Sequence, residues 1–350
     1  MANSFVTPPP AAPGDRVAVI APSSGAAAYA RDVLALACDR LREHFDLDPV
    51  IYPSARQSDE YLRAHPEARA ASIHAAFRDP DISAVFATIG GDDQLRVIDH
   101  VDPGVLRAHP TRFFGMSDNT NLHMTLWNAG VVGFYGGQLL NQVGTPGFFP
   151  GYSERYLRRA LFEDSIGELE QSESWSDDVV EWTHDEYAGM EPEYEDAPGW
   201  TWRDNGAVSG LVWGGCLPVI YWRYAADRDC PSMERLDGEI LAIETAENLP
   251  SAERVRWTFQ ALGERGLLER FDGVLVGRPQ TRNRFEDPGK EEREQFRREQ
   301  RDAITAMLDR YNPTATAVFD VEFGHTNPTA PIPIGGRVSI DPASESISFE

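Results

Sequence analysis

Two stretches, Ser83–Gly91 (SAVFATIGG) and Thr111–Ser117 (TRFFGMS), decide the fold. Each is a short apolar run that ends in a glycine-bearing turn. Runs without polar alternation suit strands buried on both faces, as in a parallel sheet covered by helices. Working outward, Arg16–Ser24 (RVAVIAPSS) has the same form, and Pro49–Pro53 and Val131–Gly136 read as further strands. Helical patterns fill the intervals at 28–44, 60–77 and 94–100, and another helix is expected to open at Asp118. This βαβ rhythm predicts an α/β fold with a parallel sheet, whose functional groups gather at the carboxyl ends of the strands. IGGDD (89–93) and GMSDNT (115–120) both lie at such ends.

At 350 residues the chain is long enough for two domains. The expected boundaries are 1–165 for the first, 166–206 for a linker or insertion, and 207–350 for a second α/β domain. Within the insertion, residues 172–205 hold eleven acidic residues against one basic residue, Arg203. Its four tryptophans, Trp175, Trp182, Trp200 and Trp202, argue against simple disorder. In the second region, DGEILAIETAE (237–247) and FDGVLVGRP (271–279) read as strands and 251–266 as an amphipathic helix. A charged helix is expected over 291–311, with β structure in AVFDVEFGHTNP (317–328) and GGRVSID (335–341).

The net charge of −24 disfavours nucleic acid and anionic membranes as partners. Thirty-one of the 32 basic residues are arginine, Lys290 being the exception. Acidity with almost no lysine suits a cytosol of high salt, where the Debye length is about 3 Å or less; a GC-rich genome is the other source of such a bias. No apolar stretch approaches the roughly 18 residues of a membrane span, and MANSFVTPPPAAPGDR lacks the pattern of a signal peptide. A cytoplasmic protein is therefore expected. Cys38, Cys216 and Cys230 form no CxxC pair, so neither a disulfide framework nor a thiolate zinc site is expected. No clustered ligand set suggests a metal, and no cofactor is expected.

Three segments carry chemistry. In GMSDNT a strand delivers Ser117 into a sharp turn, followed by amides, beginning with that of Asp118, able to hold an oxyanion. The second glycine of the α/β-hydrolase elbow is missing, and the competing reading makes Ser117 or Asp118 a helix N-cap. Gly91 offers a second oxyanion amide, or the glycine pair is simply a turn. His325 lies between a strand and a proline-rich loop, and Glu244 ends a buried strand, where a carboxylate needs a partner. Glu247 is the rival for that partnership. Cys216, flanked by glycine, is a rival nucleophile with no histidine placed for it by motif.

Together VAVIAPSS, IGGDD, GMSDNT, WGGCLPVI, LAIETAE and GHTNP resemble, in order, the serine peptidase family of LD-carboxypeptidases and microcin C self-immunity proteins. The resemblance implies a flavodoxin-like N-terminal domain, a mixed α/β C-terminal domain, a catalytic cleft between them and a homodimer. It implies Ser117 as nucleophile, His325 as general base and Glu244 as the residue orienting it. Cys216 departs from the asparagine that many members carry there. The substrate is then a cell-wall peptide losing a terminal D-amino acid, or an aminoacyl nucleotide. The tryptophan-rich insertion favours the microcin-immunity branch. Asp92, Trp182, Trp200 and Trp202 are the candidate substrate-binding residues; the tryptophans either stack on a base or anchor the loop. A non-catalytic small-molecule binding protein on the same fold is the alternative.

Overall fold

The computed structural model describes residues 5–350; the first four residues of the segment read for a signal peptide lie outside that range. The chain forms two compact units. Among the described residues the first comprises 5–166, 180–192 and 329–335, the second 167–179, 193–328 and 336–350. The boundaries thus differ from the expected ones. The acidic segment is no separate linker but is divided between the units, and a late stretch returns to the first.

The first unit holds a six-stranded sheet in the order Ile332–Ile334, Gly133–Tyr135, Arg112–Gly115, Ile82–Ala87, Arg16–Ile20, Asp48–Ile51. The last five strands are parallel, in register through pairs such as Val17↔Ala84 and Val85↔Phe113. Ile332–Ile334 joins antiparallel, with Pro333 opposite Phe134. A proline donates no ladder hydrogen bond, and it is tolerated on this edge. Ile20, Val85, Phe113, Ile73, Leu122 and Leu126 belong to one buried cluster of sheet and helix residues. The helix expected over 60–77 is two helices, Asp59–Ala64 and Pro66–Arg78. Pro66 stands at the first turn of the second, where its missing N–H costs nothing.

The second unit holds an eight-stranded sheet with four parallel strands at its centre: Val208–Cys216, Glu239–Glu244, Phe271–Gly277 and Thr316–Val321. Thr201–Arg203 adds antiparallel to the last of these. Cys216 pairs with Glu244, so the carboxyl ends of neighbouring strands lie level. Among the described residues no helix is long and apolar enough to cross a membrane.

Buried ion pairs order the acidic segment within the second unit. Asp177 is buried and accepts from the amide and hydroxyl of Thr281 and from Arg282. Trp175 is buried under the guanidinium groups of Arg278 and Arg297, 5.5 and 4.7 Å from its ring centre. Such cation–π contacts are worth more once desolvated. Glu322 pairs with Arg278 at 2.8 Å and also accepts from Ser172.

Candidate active site

In the first unit, Arg112–Gly115 ends at Met116, whose backbone is still extended. Ser117 then turns with φ +60, a left-handed conformation that costs a non-glycine residue about 1–3 kcal/mol. The turn is held by its surroundings. The Ser117 amide donates to the Tyr135 hydroxyl at 2.9 Å, and Thr120 Oγ1 donates to the Ser117 carbonyl at 2.7 Å. The Ser117–Asn119 turn leads into the helix Thr120–Ala129.

The Asp118 side chain does not cap its own helix. Its carboxylate accepts from the amides of Asp93 (3.0 Å) and Gln94 (2.8 Å) and from the hydroxyl of Ser23. A buried carboxylate thereby ties the loops after two parallel strands, Arg16–Ile20 and Ile82–Ala87, to the serine turn. The cap positions of the turn and of the helix fall on Met116 and Asn119, so neither Ser117 nor Asp118 is the N-cap, and the Asp118 side chain takes the cross-loop role instead.

Gly90, which sequence reasoning passed over in favour of Gly91, lies against the serine. A Cβ on Gly90 would stand 2.8 Å from Ser117 Cβ and 3.1 Å from its Oγ. Gly91 has φ +154, and a Cβ there would meet Ser23 Oγ at 2.6 Å. Asp92 is exposed and paired with Arg63 at 2.7 Å.

His123, which the sequence reading did not single out, is buried 2.8 Å from the Gly115 carbonyl through Nε2. That oxygen can only accept, so Nε2 carries the proton. Burial pulls its pKa down to about 4, so the ring is neutral. It braces the end of the strand that leads to Ser117.

In the second unit, Glu244 ends its strand 2% exposed, with Oε2 accepting from the Ala246 amide at 2.8 Å. The same oxygen lies 2.8 Å from His325 Nδ1. Gly324, at φ +101, permits this approach: a Cβ there would fall 2.9 Å from Glu244 Cβ and Cγ. Glu247 also touches the histidine, its Oε2 2.8 Å from Nε2. Glu244 and Glu247 therefore share the ring, one on each nitrogen. Burial alone would lower the pKa of His325, but the two carboxylates outweigh it and hold it up to about 10. Glu247 is held down to about 2; partial loss of solvent at its carboxyl end opposes this, and the charge of His325 overrides it.

Cys216 is buried beside Glu244. Burial first, then the charges of Glu244 and Glu247, push its thiol well above the ordinary range. A nucleophilic cysteine needs the opposite environment.

Of the tryptophans, Trp200 donates Nε1–H to Glu322 at 2.7 Å and its ring meets that of Trp202 edge-on at 6.0 Å. Trp202 lies in the sheet opposite Val318. Trp182 belongs to the first unit, 6.4 Å from the exposed ring of Tyr29.

The family model for the LD-carboxypeptidase N-terminal domain matches residues 17–136, and that for the C-terminal domain matches residues 209–340. The chain belongs to the LD-carboxypeptidase family. It is accordingly a hydrolase of the serine carboxypeptidase type, with peptidase or amidohydrolase activity. The Bacillus subtilis protein named "Probable murein peptide carboxypeptidase" is 25% identical over 96% of this chain and 92% of its own length. The Microcin C7 self-immunity protein MccF of Escherichia coli is 24% identical over 84% of this chain and 81% of its own. The crystal structure of an MccF-like protein from Streptococcus pneumoniae in complex with AMP superposes with a TM-score of 0.85. It is 24% identical and covers 96% of this chain and 98% of that one. The mixed α/β fold expected of an LD-carboxypeptidase is thus the fold of this chain.

Proposed function

We propose that this LD-carboxypeptidase family member cleaves an amide bond with a Ser117–His325–Glu244 triad. The observation that carries this reading is the Glu244–His325 Nδ1 contact at 2.8 Å on a buried carboxylate. Glu244 fixes the imidazole tautomer and leaves Nε2 as the nitrogen for the proton of the nucleophile. The strained, glycine-packed turn at Ser117 supports its role as that nucleophile. Ser117 Oγ attacks the carbonyl carbon while its proton passes to His325. The amides of Asp118 and Gly91 serve as oxyanion donors, each worth roughly 3 kcal/mol. The proton returns to the leaving amine, and water hydrolyses the acyl-enzyme. A fluorophosphonate probe tests the reading: it should label Ser117 of the native chain. A folded chain left unlabelled would speak for the non-catalytic binding alternative.

For the substrate we favour an aminoacyl nucleotide over a cell-wall peptide, with Trp182 as the base-stacking ring. Trp200 and Trp202 are tied into their own unit by Glu322 and by strand pairing, whereas Trp182 is half-buried beside the exposed Tyr29. The ligand in the pneumococcal relative supports a nucleotide-sized substrate. Stacking contributes about 1–3 kcal/mol per base, so Trp182→Ala should raise KM for an aminoacyl sulfamoyl adenosine about tenfold. Turnover of a base-free peptide should stay unchanged. Trp200→Ala should instead lower the melting temperature and impair both substrates equally. The reverse pattern would exchange the two roles.

The reading keeps the cytoplasm as compartment and a homodimer as working form. At a net charge of −24 the folded chain repels itself. Its melting temperature should climb steadily from low to molar KCl as screening grows. A flat profile would make the acidity incidental.

A further inference from the structure

We propose that Glu247 selects substrates carrying an ammonium group beside the scissile amide, and that it frees His325 when such a group takes its carboxylate. This rests on the assignment of Ser117 as nucleophile and His325 as its base.

The nitrogen that must accept the serine proton is the one Glu247 occupies, at 2.8 Å. The charged groups facing the ring are Glu244 at its strand end and Glu247 three residues on; the Cys216 thiol lies against Glu244. With a carboxylate on each nitrogen the ring is an imidazolium, and an imidazolium cannot take a proton.

Glu244 cannot give way easily. It is buried and bonded to the Ala246 amide, with Gly277 and Gly324 packed on its methylenes. Glu247 can. Its side chain is 59% exposed, on a turn where Ala246 and Leu249 both adopt positive φ. Asn283 reaches only its backbone carbonyl, at 3.4 Å. His325 is the cation it pairs with among the described residues. A carboxylate drawn off that cation needs another.

A substrate ammonium supplies it. The ammonium pairs with Glu247, the imidazolium Nε2 proton passes to bulk water, and the neutral Nε2 becomes the base for Ser117. Because Glu247 touches the very nitrogen that meets the nucleophile, the cation must lie within about one residue of the reacting carbonyl. A free α-amino group on the acyl side satisfies this; an acylated one does not.

The test uses two phosphonofluoridates, one with a short aminoalkyl arm and its N-acetylated counterpart. In both, Ser117 Oγ forms the P–O bond, fluoride leaves, and His325 takes the serine proton. At pH 7 the native chain should label about tenfold faster with the amine than with the amide, the range expected for a close charge pair. Glu247→Gln should bring the two rates within about twofold. The same variant should move the acid limb of labelling by the acetylated probe to lower pH. The sign follows from removing a carboxylate that favours the charged ring, so the neutral imidazole appears earlier as pH rises. A merely structural role for Glu247 would leave that limb in place. Labelling of Ser117 with no amine preference in the native chain, or with the preference kept in Glu247→Gln, overturns the proposal. No labelling of a folded chain overturns the catalytic assignment, and this proposal with it.

Discussion

Ser117→Ala should lower amide hydrolysis by at least about 10⁴-fold while leaving the fold intact, since a triad acts as a unit and loses nearly everything with its nucleophile. The fold should survive because residue 117 is not the helix cap, and its backbone amide and carbonyl keep their bonds to Tyr135 and Thr120. The positive φ adds a second, independent expectation. Alanine keeps the strain of φ +60, but glycine does not. Ser117→Gly should therefore be as inactive as Ser117→Ala and melt higher, by an amount matching about 1 kcal/mol. Strain at a residue that contributes only packing would have been lost without harm; here its removal separates stability from turnover. Activity surviving in either variant would remove Ser117 from the mechanism. Thermal melts beside initial rates decide both points.

Much of this was open to sequence reasoning, for physical reasons that differ from place to place. The strands Arg16–Ile20, Ile82–Ala87 and Arg112–Gly115 are legible because strands buried on both faces must be continuously apolar. The placement of Ser117 just after one such strand and of Glu244 at the end of another is legible for the same reason. The return of 329–335 to the first unit was not legible. APIPIGG reads as a proline-rich loop, and only the edge position of Pro333 makes a strand there tolerable. The acidic segment was equally opaque. Asp177 finds its cationic partners at Arg282 and Arg293, more than a hundred residues away, and local composition carries no trace of them. Gly90 and Gly91 are indistinguishable by type; packing against Ser117 separates them. The approach of Glu247 to Nε2 depends on the left-handed turn at Ala246, which alanine does not announce.

Glu244→Gln is expected to lower kcat/KM by about 10³–10⁴-fold, and the reason lies in protons rather than shape. The carboxamide is nearly isosteric, and its oxygen in the place of Oε2 can still accept from the Ala246 amide and from His325 Nδ1. What the neutral group loses is the charge that stabilises the imidazolium formed during attack. Glu247 does not compensate: it holds Nε2, and with a neutral partner on Nδ1 its carboxylate favours the proton on Nε2, the wrong nitrogen for receiving that of the serine. Glu244→Gln and Glu247→Gln should therefore diverge in kind. The first cuts turnover on every substrate, with KM little changed. The second alters selectivity and the pH profile while neutral substrates keep or gain rate. This difference decides which of two nearby glutamates orients the base, a question their shared chemistry and spacing left open. If Glu247→Gln produced the uniform loss and Glu244→Gln the altered selectivity, the two roles would have to be exchanged. Steady-state kinetics on both variants between pH 6 and 10, about four units spanning the ordinary and the raised histidine ranges, would settle the assignment.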